Sequence, residues 1–228
     1  MGIGVGQVKV IAIANPAGGV GKTTLSHCLA VAFAEFGKKT LLIDLDPAAQ
    51  LTFRLGYENP RITITEFISG VKLTEENLVI TSERFDFIAS DSRLAANLDE
   101  SALSQLLLKL PKDYDLVIFD IPSTLTPALG AAISAADQIL VPVSQSLHSL
   151  RGLVQLRKIT DKSVTAIAIG ELNYEELSPF LDVAILRSDE VEIAASSDLS
   201  VLTLSKSSEV SESYRSAAYS VLEILGLE

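Results

Sequence analysis

Short runs of almost unbroken aliphatic residues recur along the chain, and stretches with helical spacing separate most of them. Residues 8–14 (VKVIAIA) form the first run, which stops at Asn15-Pro16 and a glycine cluster. The same signal returns at 39–44 (KTLLID), 85–89, 116–119, 138–143, 164–169 and 183–186. Runs this short and this apolar read as strands buried on both faces. Helices are predicted over 23–36, closed by Gly37, and over 94–110, 127–136, 149–159 and 209–225. Their alternation selects parallel strand–helix–strand units with right-handed crossovers, and so a three-layer α/β/α domain around a mostly parallel twisted sheet. No internal repeat and no Pro/Gly/Ser linker interrupts the pattern, so residues 1–228 are expected to form a single domain.

In such sheets ligands sit beyond the carboxyl ends of the strands, and three loops there carry chemistry. The first is Asn15-Pro16-Ala17-Gly18-Gly19-Val20-Gly21-Lys22-Thr23-Thr24. Glycines let its backbone fold into a nest of inward N–H groups, and the positive end of the following helix adds attraction for phosphate. Lys22 supplies a mobile charge for β and γ phosphates, and the Thr23 hydroxyl can ligate Mg²⁺. The loop departs from G-x-x-x-x-G-K-[ST] only where Pro16 replaces the first glycine.

The second loop is Asp44-Leu45-Asp46-Pro47. Asp46 can orient an attacking water or a hydrated Mg²⁺ opposite the phosphate nest, or it can cap a following helix. Because Pro47 makes a bend, Asp44 and Asp46 are not given the same job. The third loop follows 116–119, where Asp120 ends an apolar strand and places a carboxylate near the Mg²⁺ position, before Ile121-Pro122-Ser123.

Composition narrows the function classes. Eighteen basic residues against 29 acidic ones give a net charge of −11, which argues against a strong, constitutive DNA binder. The single cysteine, Cys28, excludes an intrachain disulfide framework and suits a reducing compartment. His27 and His148 stand far apart without other ligands at zinc spacing. No apolar run reaches membrane-spanning length, and the first residues lack a basic segment followed by an apolar block, so a cytoplasmic location is expected. Gly6 stands where a myristoylation motif wants Ser or Thr, which removes that reading of Met1-Gly2.

Taken together, the three loops resemble those of the deviant-Walker ATPases of the ParA/MinD group, P-loop NTPases of the SIMIBI type that position plasmids, chromosomes, division sites and other cargo. The likeness extends to 41–47 (LLIDLDP), 87–96 (FIASDSRLAA), 115–122, 136–153 (ADQILVPVSQSLHSLRGL) and the last helix. It implies that Gly18, Gly19, Val20, Gly21, Lys22, Thr23 and Thr24 grip the phosphates of ATP. By the same likeness Thr23 and Asp120 serve Mg²⁺, Asp46 handles the attacking water, and Leu186 and Arg187 frame adenine. Members close on ATP into a sandwich homodimer and hydrolyse slowly until a small partner of the ParB or McdB kind stimulates them.

Two departures accompany these matches. The family's signature lysine, which reaches across the dimer to the other subunit's phosphates, is here Ala17, and the glutamate that relatives carry near Ser146 is missing with it. Arg151 is the candidate substitute cation, with a solvated helix residue as its other reading. Absence of that lysine is a feature of the carboxysome-spacing McdA branch.

ParA-type relatives bind nonspecific DNA as ATP dimers, which would place the protein on the nucleoid. The candidate patch is Arg151, Arg157, Lys158 and Lys162, where 151, 158 and 162 are expected along one helix face; a plain solvated face is the alternative. MinD-type relatives end in a basic amphipathic helix that lies on membrane. The last residues here (AAYSVLEILGLE) carry two acids and no base, so membrane binding is not expected. The leading function is a DNA-associated positioning ATPase reset by partner-stimulated hydrolysis. The alternatives are an ATP-dependent dimerisation switch with negligible hydrolysis, and a scaffold that has lost nucleotide binding.

Overall fold

The computed structural model describes residues 8–96, 98–124, 126–172 and 179–228; of 95 and 96 only the backbone is described. Met1-Gly2 and part of the predicted 94–110 helix fall outside these residues. The strands are β1 (Lys9–Ile13), β2 (Thr40–Asp44), β3 (Val79–Ile80), β4 (Asp86–Ile88), β5 (Leu116–Asp120), β6 (Gln138–Val143) and β7 (Ser163–Ala168). They form one seven-stranded sheet in the order β3-β4-β2-β5-β1-β6-β7, parallel except for the short β3 edge.

Side chains of β1 alternate between two cores, as the period of two requires. Val10 and Ala12 face one side, with Leu103, Leu129 and Leu153. Ile11 and Ile13 face the other, with Leu25, Phe33 and Leu222. The first side is covered by α3 (Ile64–Ile68), α4 (Ala102–Leu107), α5 (Pro127–Ala135) and α6 (Leu147–Ile159). The second is covered by α1 (Lys22–Glu35), α2 (Gln50–Arg54), α7 (Asp189–Ala195), α8 (Val201–Leu204) and α9 (Glu209–Leu225). Helix α1 is wedged between the sheet and α9, which is why residues from Leu25 through Ala34 are all buried.

Two expectations are corrected. Residues 183–186 do not form a strand: only Ile185 pairs, bridging Ile169 through hydrogen bonds to Gly170 N and Ala168 O. Gly170, at φ +79°, turns the chain away after β7, and Ser188 already caps α7, so little extended chain remains. The single helix expected over 94–110 is two pieces, a 3₁₀ turn at Ser92–Ala96 and α4. Asp91 and Asp99 explain the break, because each carboxylate accepts a backbone N–H two residues on and so fixes a turn.

The order of strands decides where the chemistry lies. The chain leaves β1 and returns as β2 on one side, beyond β5, while β6 adds on the other. The crevice at this reversal opens at the carboxyl ends of β1, β2 and β5, where the three motif loops meet.

Candidate functional site

The phosphate loop is anchored at its entrance by Asn15. Its Nδ2 donates to Pro142 O (2.9 Å) and Ser149 O (3.2 Å), while its Oδ1 accepts from Ala17 N (2.9 Å). Helix α6 comes so close that a Cβ on Gly152 would lie 1.9 Å from Asn15 Oδ1. Gly19 and Gly21 adopt φ of +69° and +88°, the left-handed region that L side chains avoid. Gly21 caps α1, and the helix begins at Lys22 with its N-terminus facing the loop.

Lys22 is buried and donates from Nζ to Ala17 O (2.9 Å) and Ser123 Oγ (2.7 Å). Burial lowers its pKa, against the opposing pull of the Asp120 and Asp46 carboxylates. Asp120, fully buried at the end of β5, accepts from Ser26 Oγ (2.8 Å) and from the Thr23 hydroxyl. Burial pushes its carboxyl up to about 6, although Ser26, Thr23 and Lys22 pull it down.

The structure separates the two aspartates of the second loop. Asp44, adjacent to Asp120 across the sheet, is buried and accepts from Asp46 N (2.9 Å), Thr52 N (2.9 Å) and Thr52 Oγ1 (2.8 Å). Burial, with repulsion from Asp120, raises it to about 7. It is Asp44 that ties down the first turn of α2; the N-cap position itself is Ala49, so the capping alternative for Asp46 is not realised. Asp46 accepts from Ala48 N (2.9 Å) and lines the hollow.

Lys22, Thr23 and Asp46 line one hollow of about 650 Å³, with Gly19, Val20, Gly21 and Thr24. Gly18 lies at its edge, where a Cβ would come within 3.9 Å of Ser123 Oγ. A second hollow of about 450 Å³ shares Gly19, Val20, Gly21 and Thr24 and adds Leu186, Arg187 and Tyr214. The C-terminal stretch singled out by resemblance therefore stands beside the phosphate loop. Arg151 does not line either hollow; it is exposed on α6, next to the Gly152 contact.

The expected basic stripe is corrected. Helix α6 ends at Ile159, and Lys162 lies beyond it, donating from Nζ to Ser134 O and Ala136 O (both 2.9 Å) at the end of α5. Arg157 donates to Pro179 O (3.1 Å). Of the four, Arg151 and Lys158 are exposed on the helix surface, and among the described residues neither has such a tie to a neighbouring element.

Sequence reasoning placed Ser123 in the third loop without a role, and it missed Ser26, Gly152 and Arg54, whose Nη1 donates to Thr24 Oγ1. Ser26 stands one helical turn after Lys22, a spacing that puts it on the same face and could have flagged it. The other two meet partners distant in the chain.

Comparison with known proteins gives the family and the fold. A family model described as an AAA domain matches residues 8–168, well over half of the chain. The chromosome-partitioning ATPase Soj of Thermus thermophilus is 35% identical over 153 residues, covering 66% of this chain and 60% of that protein. The chain belongs to the ParA/MinD group of P-loop ATPases. It spans less than two thirds of the length of that curated relative. Cobyrinic acid a,c-diamide synthase from Mycobacterium smegmatis, solved with an ATP analog and magnesium, superposes with a TM-score of 0.78 at 26% identity, covering 96% of this chain and 95% of that one. An ATP complex of a McdA variant from Cyanothece gives a TM-score of 0.81 at 23% identity, covering 97% and 98%, a likeness of fold.

Proposed function

We propose that this ParA/MinD-group protein is a Mg²⁺-dependent ATPase that dimerises on ATP and positions plasmids, chromosomes or carboxysomes. The observation that carries this reading is the meeting of Lys22, Thr23 and Asp46 around one hollow at the N-terminus of α1, with Asp120 buried behind them against Ser26 and Thr23. The residues fit the nucleotide. Lys22 holds only a carbonyl and a hydroxyl, neutral acceptors that phosphate oxygens can replace.

They also fit Mg²⁺ in its usual phosphate-bound form. Among the described residues no cluster of three or more His, Cys, Asp or Glu could cage a metal. A single hydroxyl from Thr23, with Asp120 acting through water, suits an ion that keeps its waters and takes the rest of its ligands from phosphate. Mg²⁺, when bound, neutralises charge on the phosphoryl oxygens.

The chain's own groups do the remainder. Backbone N–H groups from Gly19 to Thr24 and the Lys22 amine hold and orient the phosphates. Asp46 holds the attacking water in line, and Leu186 and Arg187 frame the base. Arg151, exposed at the rim and away from its own hollow, serves the phosphates of the facing subunit. Phe53 and Leu186, exposed apolar side chains that line the two hollows, lie on the face that closes between subunits. With Arg151 given to the phosphates, the exposed Lys158 on the same helix, doubled in the dimer, is left as a weak contact for nonspecific DNA. The ATP dimer then resides on the nucleoid, and a small adaptor protein resets it by stimulating hydrolysis.

One observation favours a second reading. Ala17 is a fully buried methyl, so no cation extends from the signature position. If Arg151 does not replace it, the protein is an ATP-dependent dimerisation switch with negligible turnover. Light scattering in ADP and in ATP, with and without DNA, tests the common core: a monomer in ADP, a dimer in ATP, and DNA binding only in ATP. A monomer under all conditions overturns it. Phosphate release with and without DNA separates the two readings.

A further inference from the structure

The phosphate hollow contains a cation that none of the motif loops supplies. Arg54, on α2, lines the hollow with Lys22, Thr23 and Asp46. Its Nη1 donates to Thr24 Oγ1 (2.8 Å). Its Nε and Nη2 are buried, and among the described residues they have no hydrogen-bond partner and no carboxylate forms an ion pair with the guanidinium. Arg54 as a whole is half-buried, but N–H donors shielded from water and left unpaired are costly and persist where an anion completes them.

Three features make phosphate that anion. Thr24, the residue Arg54 holds, belongs to both hollows, so Arg54 stands where the phosphate side meets the Leu186 and Arg187 side. Its fork of N–H groups matches phosphate oxygens in geometry. The backbone beneath it is held from below, because Asp44 accepts from Thr52 N and Thr52 Oγ1 in the same short helix.

We infer that Arg54 is a nucleotide-binding residue: its free N–H groups donate to the phosphate of the bound nucleotide nearest the nucleoside, a group shared by ADP and ATP. This deepens the ATPase reading and rests on it. Lys22 and Asp46 work at the reacting end, and Arg54 holds the other end of the chain of phosphates.

Arg54→Gln tests the assignment by calorimetry with ADP and with ATP, each with magnesium, together with thermal melting. A charge-assisted hydrogen bond of this kind corresponds to a loss of affinity of about tenfold or more. The loss is expected to be equal for ADP and ATP, and Arg54→Lys is expected to restore part of it. In nucleotide-free protein the substitution removes a charge with shielded, unpaired donors, so the melting temperature holds or rises while the nucleotide-induced rise shrinks. A merely structural Arg54 gives the reverse: a lower melting temperature without nucleotide and unchanged affinity. Unchanged affinity for both nucleotides, or a loss confined to ATP, overturns the inference. Failure of the unsubstituted protein to bind either nucleotide overturns the ATPase reading instead.

Discussion

Gly152 is a residue whose importance lies in what it leaves out. Any side chain there would collide with Asn15, whose three short bonds hold the start of the phosphate loop against β6 and α6. Gly152→Ala must displace either the asparagine or the helix, an overpacking cost of about 1–3 kcal/mol. We expect a lower melting temperature and weaker nucleotide binding together, since the same displacement disorders Ala17 and the turn beyond it. Asn15→Ala removes the atom that collides. In a double-mutant cycle Gly152→Ala should therefore cost less in the Asn15→Ala background, and strict additivity would show that the two do not communicate. A single atom thus links α6 to the nest of N–H groups.

At the scale of elements, α1 is fastened to its neighbours by a buried polar cluster as well as by apolar packing. His27 Nε2 meets Glu83 Oε2 at 2.5 Å, and Glu83 Oε1 accepts from Ser200 N (3.0 Å), Ser200 Oγ (2.6 Å) and the Thr203 hydroxyl. Glu83, in the turn before β4, thereby joins the phosphate-loop helix to the start of α8. Burial pushes its carboxyl up, but the bonds from His27, Ser200 and Thr203 and the nearness of His27 outweigh it, and the pKa falls from 4.5 to about 2. A depressed carboxylate stabilises the fold above its unfolded pKa and ceases to do so as pH falls through its folded one. The stability difference between the native protein and Glu83→Gln, measured in urea, should be full above about pH 4.5 and shrink toward pH 2. A difference that does not vary with pH would contradict this account. Elements of this kind also show what was legible beforehand. Helix α9 runs over Glu209–Leu225 as its pattern predicts, because Ser208 caps one end and Gly226 the other around an amphipathic stretch. The short helices α2, α7 and α8 carry too few residues to set a period, and residues 183–186 look like a strand because apolar content cannot reveal that only Ile185 finds a partner. The motif loops were legible because their chemistry is local, with Gly19, Gly21, Lys22 and Thr23 in one turn. Arg54 was not, because the residue it holds lies 30 positions earlier in the chain and only the fold joins them.

At the scale of the whole molecule, the proposed ATP dimer asks each subunit to complete the other. Ala17 brings no charge, and Arg151 is exposed on α6 at the carboxyl edge of the sheet, outside both hollows of its own subunit. In the proposed ATP dimer a cation placed there would serve the phosphates of the facing subunit, where stabilisation in trans is worth about 10³–10⁵ in rate for phosphoryl transfer. Arg151→Ala should then lower both ATP turnover and ATP-dependent dimerisation, and Asp46→Ala should abolish turnover while leaving ATP bound. Neither homodimer retains an intact site. Mixing the two variants makes dimers in which the Arg151→Ala subunit keeps its own Asp46 and receives Arg151 from the partner, so one site per mixed dimer is whole. With random pairing about a quarter of the unsubstituted turnover should return. An arginine that acted within its own subunit would give no recovery on mixing, because no chain in the mixture then carries both groups.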